Sequence, residues 1–241
     1  MPVELMDAAP SQVDLLHRVS SIVASELSLD EMLGEVLGLT VEVTSCDACL
    51  VYLIEGGTGE IVLRASQLPH AAELGVLRMN VGEGVTGWVA QHKSVVALSS
   101  RAGADERFKL FPALIEDTYD AFLSVPLLNQ GEAIGVINVH HRRPRKHTPE
   151  ETSLLAFIGE QMGGAIARAR LEDENAELRR ELETRKVVER AKGIMQRNHG
   201  LTEEEAYLRL RNESRRMRRP MKDVADAIVL AEELNRHRPG D

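Results

Sequence analysis

The chain has 241 residues, of which 43% are hydrophobic and 28% are charged, a composition that is ordinary for a soluble globular protein of one large domain or two small ones. No apolar run approaches the ~20 residues that a membrane-spanning helix needs, and no basic and apolar leader opens the chain, so we expect a cytoplasmic protein with no membrane partner. The net charge of −9 argues by itself against nucleic acid, yet residues 166–241 hold slightly more Lys and Arg than Asp and Glu. A basic-leaning C-terminal segment is of the kind that can face phosphates.

Periodicity predicts helices and then a hairpin in the first part of the chain. Residues 1–10 are weakly patterned and are predicted to be mobile, and residues 237–241 form a short C-terminal tail. Apolar residues after position 11 recur at helical spacing, which predicts two helices separated near Ser28. Two β-branched, apolar runs follow at residues 48–55 and 60–66. Because a Gly-rich turn joins them, they predict a β-hairpin.

The middle of the chain continues with short elements. Residues 82–98 begin with a Gly-rich turn and predict a short helix followed by a short strand. Residues 99–118 are polar and irregular. Two further strands are predicted at residues 121–128 and 133–141, with a turn between them. The order of helices, hairpin, short helix, loop, hairpin and long helix predicts an α+β fold around a central antiparallel sheet.

Three motifs in this part resemble the GAF domain, a family of small-molecule-binding modules. They are "GEGVTGWVA" at residues 82–90, "SVPLL" at residues 124–128 and "GVINVHH" at residues 135–141. The resemblance covers residues 11–168 and implies a GAF-like antiparallel sheet with flanking helices. It names no ligand, and no cofactor follows from it, because a fold does not settle a function. The aromatic residues that could line a sensor pocket, or equally form the core, are Trp88, Phe108, Phe111, Tyr119 and Phe122.

A long helix is predicted from Thr148 to about Asn198. Within its connecting segment, residues 169–184, four residues follow one another at steps of four, three and four, as in a short coiled-coil seam. An Asn in such a seam is a known device for fixing the register of parallel dimers. We therefore predict a homodimer, and the alternative is a solvated connecting helix with scattered leucines. The seam residues are Leu171, Asn175, Leu178 and Leu182.

Residues 185–236 predict three short amphipathic helices. The first ends at Gly200, Thr202 opens the second with a capping box to Glu205, and Pro220 separates the second from the third. An amphipathic helix cannot bury its own apolar face, so we expect the three helices to pack into a small bundle. The residues predicted to face its core are Val187, Val188, Ala191, Ile194 and Met195, then Ala206, Leu210, Ser214 and Met217, and finally Met221, Val224, Ala225, Ile228 and Ala231.

Four motifs in the bundle resemble the ANTAR domain, the RNA-binding output domain of bacterial transcription antiterminators. They are "AKGIM" at residues 191–195, "GLTEEEAY" at 200–207, "LRLRNES" at 208–214 and "PMKDVADAI" at 220–228. The resemblance implies that the bundle binds tandem hairpins in nascent transcripts under the control of the GAF-like sensor. The chain departs from the family at one position, since many members carry Asn where this chain has Arg218.

Basic residues crowd the second helix of the bundle and its exit. Arg211, Arg215 and Arg218 lie at steps of four and three, and their planar guanidinium groups suit phosphate oxygens. A solvated helix face is the alternative that charge alone leaves open, and the family resemblance favours RNA. Lys192 either projects toward RNA or, with Gly193, marks a close helix contact. The candidate RNA-binding residues are Lys192, Arg197, Arg211, Ser214, Arg215, Arg218, Arg219 and Lys222.

The two cysteines, Cys46 and Cys49, have the spacing of a redox site or of half a zinc site. No second pair exists, so we expect them to be core residues and we assign no metal ligand. No Ser–His–Asp or paired-carboxylate spacing is present, so no catalytic residue is assigned and we expect a protein that is not an enzyme. Two other functions remain open: a non-catalytic protein–protein signalling adaptor with a small-molecule sensor domain, and a redox enzyme of the GAF fold.

Overall fold

The structure is a computed structural model that describes residues 12–111, 113–114 and 118–236. The predicted mobile segment, residues 1–10, and the tail, residues 237–241, lie outside the described residues. The chain forms two compact units, Met1–Glu172 and Asp173–Asp241.

The elements follow the predicted order. The first unit contains α1 (Gln12–Ala24), α2 (Leu29–Thr44), β1 (Ala48–Ile54), β2 (Glu60–Ser66), β3 (Arg78–Asn80), α3 (Gly84–His92), β4 (Val96–Leu98), β5 (Ala121–Asn129) and β6 (Glu132–His141). A long helix, α4 (Pro149–His199), begins in the first unit and continues into the second, which also holds α5 (Glu203–Met217) and α6 (Met221–Arg236). The strands form one antiparallel sheet in the order β3-β2-β1-β6-β5-β4. The predicted α+β class is therefore confirmed.

Two short elements were not predicted. Strand β3 has three residues and pairs with β2 at the edge of the sheet, where Met79 lies opposite Ile61. A single turn of 3₁₀ helix at Ala102–Ala104 lies in the segment that was predicted to be irregular. Neither is long enough to show a period in the sequence, because such a short strand is defined by its neighbour and not by its own residues.

The sheet separates two hydrophobic layers. Helices α1, α2 and α4 pack on one face, against residues such as Val51 and Leu53. The other face, which includes Leu50 and Tyr52, packs against α3 and the segment that follows β4. Because successive side chains of a strand point to opposite faces, β1 is buried on both sides, which explains its unbroken apolar run.

Helix α4 approaches β5 closely at two glycines. A Cβ on Gly163 would lie 2.1 Å from the carbonyl oxygen of Leu128, and one on Gly159 would lie 2.5 Å from that of Pro126. Both distances are too short for any side chain. Glycine at these two positions is therefore what allows the helix to lie directly on the strand.

Two arginines hold α4 to its neighbours through backbone carbonyl groups. Arg168 donates to the carbonyl oxygen of Val23 at 2.6 Å, near the end of α1, and Arg170 donates to that of Ile54 at 2.7 Å, the last residue of β1. The first bond satisfies a carbonyl group in the last turn of α1, which has no partner within that helix. The second satisfies a carbonyl group at the end of β1.

The second unit is a bundle of α4, α5 and α6. Its buried core consists of Ala191, Ile194, Met195, Ala206, Leu210, Val224, Ala225 and Val229. Two predicted core residues are exposed. Met217 lies in the last turn of α5, where the helix is about to end, and Ala231 borders an open cavity of about 320 Å³ between the helices. Val229, which was not predicted, is buried instead, and Ser214 is half-buried.

Candidate nucleic-acid interface

The connection between α4 and α5 is fixed by local bonds that the sequence predicted. Gly200 has a φ of 67° and donates to the carbonyl oxygen of Gln196 at 3.0 Å, which ends α4. The backbone N–H of Thr202 donates to the carboxylate of Glu205 at 2.8 Å, and the N–H of Glu205 donates to the Thr202 hydroxyl at 3.3 Å. This capping box starts α5 and places Glu203 in its first turn.

Lys192 does not project toward solvent, although one of its two interpretations was that it points toward RNA. Its side chain is only 8% exposed, and its Nζ donates to carboxylate oxygens of Glu189 and Glu203, both at 2.8 Å. The Glu189 carboxylate, followed by that of Glu203, raises the pKa of the Lys192 ammonium. Ala191 beside it is fully buried, so this point of α4 is a close helix contact. A phosphate group that approaches Lys192 competes with the carboxylates of Glu189 and Glu203 for its ammonium group.

The other basic candidates are not neutralised in this way. Two arginines of the second unit that are not candidates form ion pairs, Arg190 with Glu233 and Arg216 with Glu213. The remaining candidates form no ion pair within the part of the chain that the structure describes. Their charge is therefore open to an anionic partner. They are Arg197, Arg211, Arg215, Arg218, Arg219 and Lys222.

Arg211 has an unusual environment among these groups. It is half-buried, and its Nε is enclosed but has no hydrogen-bond partner among the described residues. An enclosed donor without an acceptor costs about 1–3 kcal/mol. An external acceptor cannot reach the enclosed Nε, so a phosphate oxygen would contact Arg211 through its two terminal nitrogens.

Ser214 closes the turn at the end of α5. Its hydroxyl donates to the carbonyl oxygen of Arg219 at 2.6 Å, and the N–H of Arg219 donates to the carbonyl oxygen of Ser214 at 3.1 Å. Between them, Arg218 adopts the left-handed conformation with a φ of 52°. Asn enters this conformation more readily than other residues with a side chain. The left-handed backbone conformation therefore explains why Asn suits this position, where many ANTAR domains carry it.

We expect Arg218→Gly to raise the free energy of unfolding by about 0.5–1 kcal/mol, because glycine adopts the left-handed conformation without steric cost. Thermal unfolding followed by circular dichroism measures the change. The matched control is Arg209→Gly in the middle of α5, which should lower the stability by about 1 kcal/mol. A loss of stability in both variants would contradict this account of position 218.

Basic candidates lie at both ends of α5, and Arg211 lies between them. Lys192 lies against the first turn of α5 through Glu203, whereas Arg215 and Lys222 lie at or just beyond its other end. The twelve helical steps from Glu203 to Arg215 span ~18 Å. A ligand that contacts both ends must therefore extend along the helix.

The predicted sensor-pocket aromatics lie mainly in the core layer under α3. Trp88 stacks on His92 with 4.1 Å between ring centroids, and Phe108 meets Phe122 edge-on at 6.1 Å. Phe111 is half-buried in the same layer. The four aromatic residues Trp88, Phe108, Phe111 and Phe122 are packed together. This packing fits both interpretations, namely that they form part of the core and that they hold a ligand.

Tyr119 lies outside this layer, although it was grouped with the other four aromatic residues as a candidate for the pocket or the core. It is half-buried, and its hydroxyl accepts a hydrogen bond from Nε of Arg142 at 3.1 Å. The Arg142 guanidinium also lies over the tyrosine ring, 5.3 Å from its centroid. The residue follows the irregular segment 99–118, whose path could not be predicted from sequence.

A chain of buried polar groups lies beneath α3, and sequence reasoning missed it. The amide nitrogen of Asn138 donates to the Thr86 hydroxyl at 2.7 Å, and the Ser124 hydroxyl donates to the amide oxygen of Asn138 at 2.8 Å. All three residues are buried. The available signal was an Asn inside an otherwise apolar strand, since a buried amide requires partners. The hydrogen-bonded chain ties α3 to the neighbouring strands β5 and β6.

Neither a metal centre nor a membrane span is found among the residues that the structure describes. No group of three or more His, Cys, Asp or Glu side chains there could hold a metal ion. No described helix is long and apolar enough to cross a membrane.

The first unit has the fold of GAF domains. The GAF domain of a phosphoenolpyruvate-protein phosphotransferase from Acinetobacter matches with 25% identity and a TM-score of 0.59, over 67% of this chain and 97% of that one. The corresponding domain from Coxiella burnetii gives 26% and 0.60, over 68% and 99%. A free methionine-R-sulfoxide reductase from Neisseria meningitidis, at 19% identity and a TM-score of 0.56 over 68% and 96%, shares the fold alone.

The GAF domain profile matches residues 26–167, more than half of the chain, so the chain belongs to the GAF domain family. The ANTAR domain profile matches residues 176–229, and the two domains thus follow one another as the motifs predicted. Over 59 residues the chain is 46% identical to the transcriptional regulatory protein PdtaR of Mycobacterium tuberculosis, which is 24% of this chain and 29% of the relative. The chain therefore spans less than a third of the length of the curated relatives it matches.

Proposed function

We propose that this protein is a cytoplasmic, signal-responsive transcription antiterminator, in which a GAF-like sensor controls the binding of hairpin RNA by the ANTAR bundle. The observation that carries the proposal is the group of cations around the end of α5 that have no ion pair within the described residues. The similarity to PdtaR supports a role as a regulator. By keeping an RNA hairpin bound, the protein prevents a terminator hairpin from folding, and transcription continues.

Phosphate contacts dominate the proposed recognition. Tyr207 is the only Phe, Trp or Tyr residue after position 172, so the bundle offers no platform on which several bases could stack. Arginine guanidinium groups bond phosphate oxygens in pairs and can also stack on an unpaired base. A folded hairpin with an accessible loop is therefore a better ligand than an unstructured strand.

We propose that the protein acts as a homodimer. The seam leucines Leu171, Leu178 and Leu182 are 65%, 59% and 56% exposed in the single chain, and Asn175 is exposed among them. Exposed leucines at these steps are buried when a second helix pairs with them. In a dimer each bundle can take one of two tandem hairpins, and a small molecule held by the GAF-like domain changes how the connecting helices pair.

The titration of the full-length protein with an RNA bearing two tandem hairpins tests this function. We expect saturable binding that weakens with salt by a logarithmic slope of about −0.7 to −0.9 for each phosphate contact, and weaker binding of an unstructured RNA of equal length. Sedimentation equilibrium of the same sample should give the mass of a dimer. Binding of neither RNA, with or without candidate small molecules, would favour the signalling adaptor.

We expect Glu203→Gln to raise the RNA affinity about two- to five-fold, because it removes one of the two carboxylates that compete with phosphate for Lys192 and a pair with the largely exposed Glu203 carboxylate contributes up to ~1 kcal/mol. Fluorescence anisotropy with labelled RNA measures the effect. Glu204→Gln is the control: it changes the charge equally, but Glu204 has no bond to Lys192 or to any other described side chain. An equal gain in both variants would assign the effect to net charge and not to Lys192.

A further inference from the structure

The open cavity of about 320 Å³ in the three-helix bundle lies between the end of α4 and the facing sides of α5 and α6. Its floor is apolar and consists of the buried core residues Ile194, Met195, Leu210 and Val224. Ala231 of α6 borders the cavity and is exposed, because a methyl group is too short to fill the space. The lining of such a hollow lacks the contacts that a close-packed core makes, and a ligand that fills the hollow supplies them.

The rim of the cavity is polar, and its two carboxylates already have donors. The amide nitrogen of Asn198 at the end of α4 donates to the Glu232 carboxylate of α6 at 2.9 Å. Glu213 accepts two hydrogen bonds from Arg216, at 2.7 and 2.9 Å. Arg209, by contrast, is exposed and forms no ion pair with any residue that the structure describes. Its guanidinium group is therefore available to a phosphate at the mouth of the cavity.

We propose that this cavity receives one unpaired nucleobase from the loop of the bound hairpin, an inference that rests on the proposed function and gives it a base-binding site. A nucleobase has two apolar faces and a polar edge, which match the apolar floor and the polar rim. The cavity lies at the lower end of the range of ligand pockets, roughly 300–1,000 Å³. This size suits a single base and not a longer stretch of RNA.

The lining residues determine which base fits. Met195 supplies a thioether, which adapts to the shape of an aromatic ring and contacts it favourably. The Asn198 amide keeps its oxygen and one N–H beside the bond to Glu232, and an amide of this kind pairs with an amino group that lies next to a ring nitrogen. Adenine and cytosine carry that pattern, whereas guanine and uracil present a carbonyl oxygen in place of the amino group. The site therefore favours adenine or cytosine.

An apolar side chain of a protein partner matches the floor of the cavity but not its rim. It would cover Asn198 and Arg209 and separate them from water without offering an acceptor, which is costly. The side chains that a second copy of the chain could offer are Leu230 and Leu234 of α6, which are 57% and 64% exposed. The polar rim favours the base over either leucine.

The test titrates the full-length protein with tandem-hairpin RNAs in which one loop nucleotide at a time is replaced by an abasic ribose. We expect one loop position in each hairpin at which the loss of the base weakens binding roughly 10- to 100-fold. Ala231→Phe fills the cavity and should weaken the binding of intact RNA by a similar factor. In this variant the abasic substitution should cost less than about a further twofold, because both changes remove the same contact.

Two further variants complete the design. Ala227→Phe is the matched control, since it adds the same ring to an exposed position of α6 that does not line the cavity, and it should leave the affinities for both RNAs unchanged. Asn198→Ala removes an exposed side chain at the rim and leaves the core intact. It should abolish the preference for adenine or cytosine at the sensitive loop position. Thermal unfolding of each variant checks that the bundle is folded.

The outcomes separate this inference from the proposed function. Hairpin binding that no abasic position weakens, or an abasic penalty of equal size in the wild-type protein and in Ala231→Phe, would overturn the base site and leave the antiterminator in place. A smaller sedimentation mass of Ala231→Phe with unchanged RNA affinity would assign the cavity to a second copy and also overturn the base site. Absence of RNA binding by the wild-type protein would overturn both proposals.

Discussion

Replacement of Arg211, Arg215 and Arg218 together by glutamine is expected to weaken the binding of tandem-hairpin RNA by about 100- to 1,000-fold. A hydrogen bond to a charged group contributes roughly 1.5 kcal/mol, and every 1.4 kcal/mol is a factor of ten, so three contacts reach this range even with some loss of additivity. The logarithmic salt slope should also become shallower by about two units, because three phosphate contacts are removed. Titration at several salt concentrations measures both quantities.

A second triple variant controls for the change in net charge. Arg101, Arg143 and Lys146 are exposed residues of the first unit, and their replacement by glutamine removes the same charge. We expect less than about a threefold change in RNA affinity, since remote exposed charges are screened by salt. If both triple variants weakened binding equally, the arginines of α5 would have no special role. If neither variant weakened binding, the result would favour a protein partner for the bundle.

The replacement of Gly163 by alanine is expected to lower the free energy of unfolding of the first unit by about 3 kcal/mol. The new Cβ would meet the carbonyl oxygen of Leu128 at 2.1 Å. That oxygen belongs to the backbone of β5, one residue before the strand ends at Asn129, so either the strand shifts or α4 lifts from the sheet. Urea unfolding followed by the fluorescence of Trp88, the single tryptophan of the chain, measures the loss.

Gly164→Ala is the matched control and should have the opposite sign. The nearest atom to a Cβ at Gly164 is Oδ1 of Asn129 at 3.8 Å, an ordinary contact. Alanine inside a helix is favoured over glycine by up to about 1 kcal/mol. Equal destabilisation by both substitutions would show that close approach to β5 is not the reason for glycine at position 163.

The features that the sequence predicted well depend on neighbouring residues in the chain. Thr202 and Glu205 are three residues apart, and their reciprocal bonds define the start of α5 wherever the helix lies. The hairpins follow from alternation and Gly-rich turns for the same reason. These local rules located the sheet, the long helix and the three helices of the bundle.

The features that were missed depend on residues that meet only after folding. Lys192 bonds to Glu189 of its own helix, but its second partner, Glu203, belongs to α5 and is not visible in the pattern of α4. The partners of Asn138 come from α3 and β5. In each case the residue type is visible in the sequence, but its bonding partners are set by tertiary contacts.

The bond between Lys192 and Glu203 has a consequence for how ionic strength acts on this protein. Salt weakens RNA binding because cations condensed along the RNA return to solution when a protein cation takes their place beside a phosphate. Lys192 already has counterions within the fold, the carboxylates of Glu189 and Glu203. A phosphate that displaces Glu203 releases its own condensed cations but leaves behind a carboxylate that attracts cations again, so the net release of ions at this contact is smaller than at an unpaired cation. A count of phosphate contacts from salt dependence alone would then be smaller than the number the RNA makes.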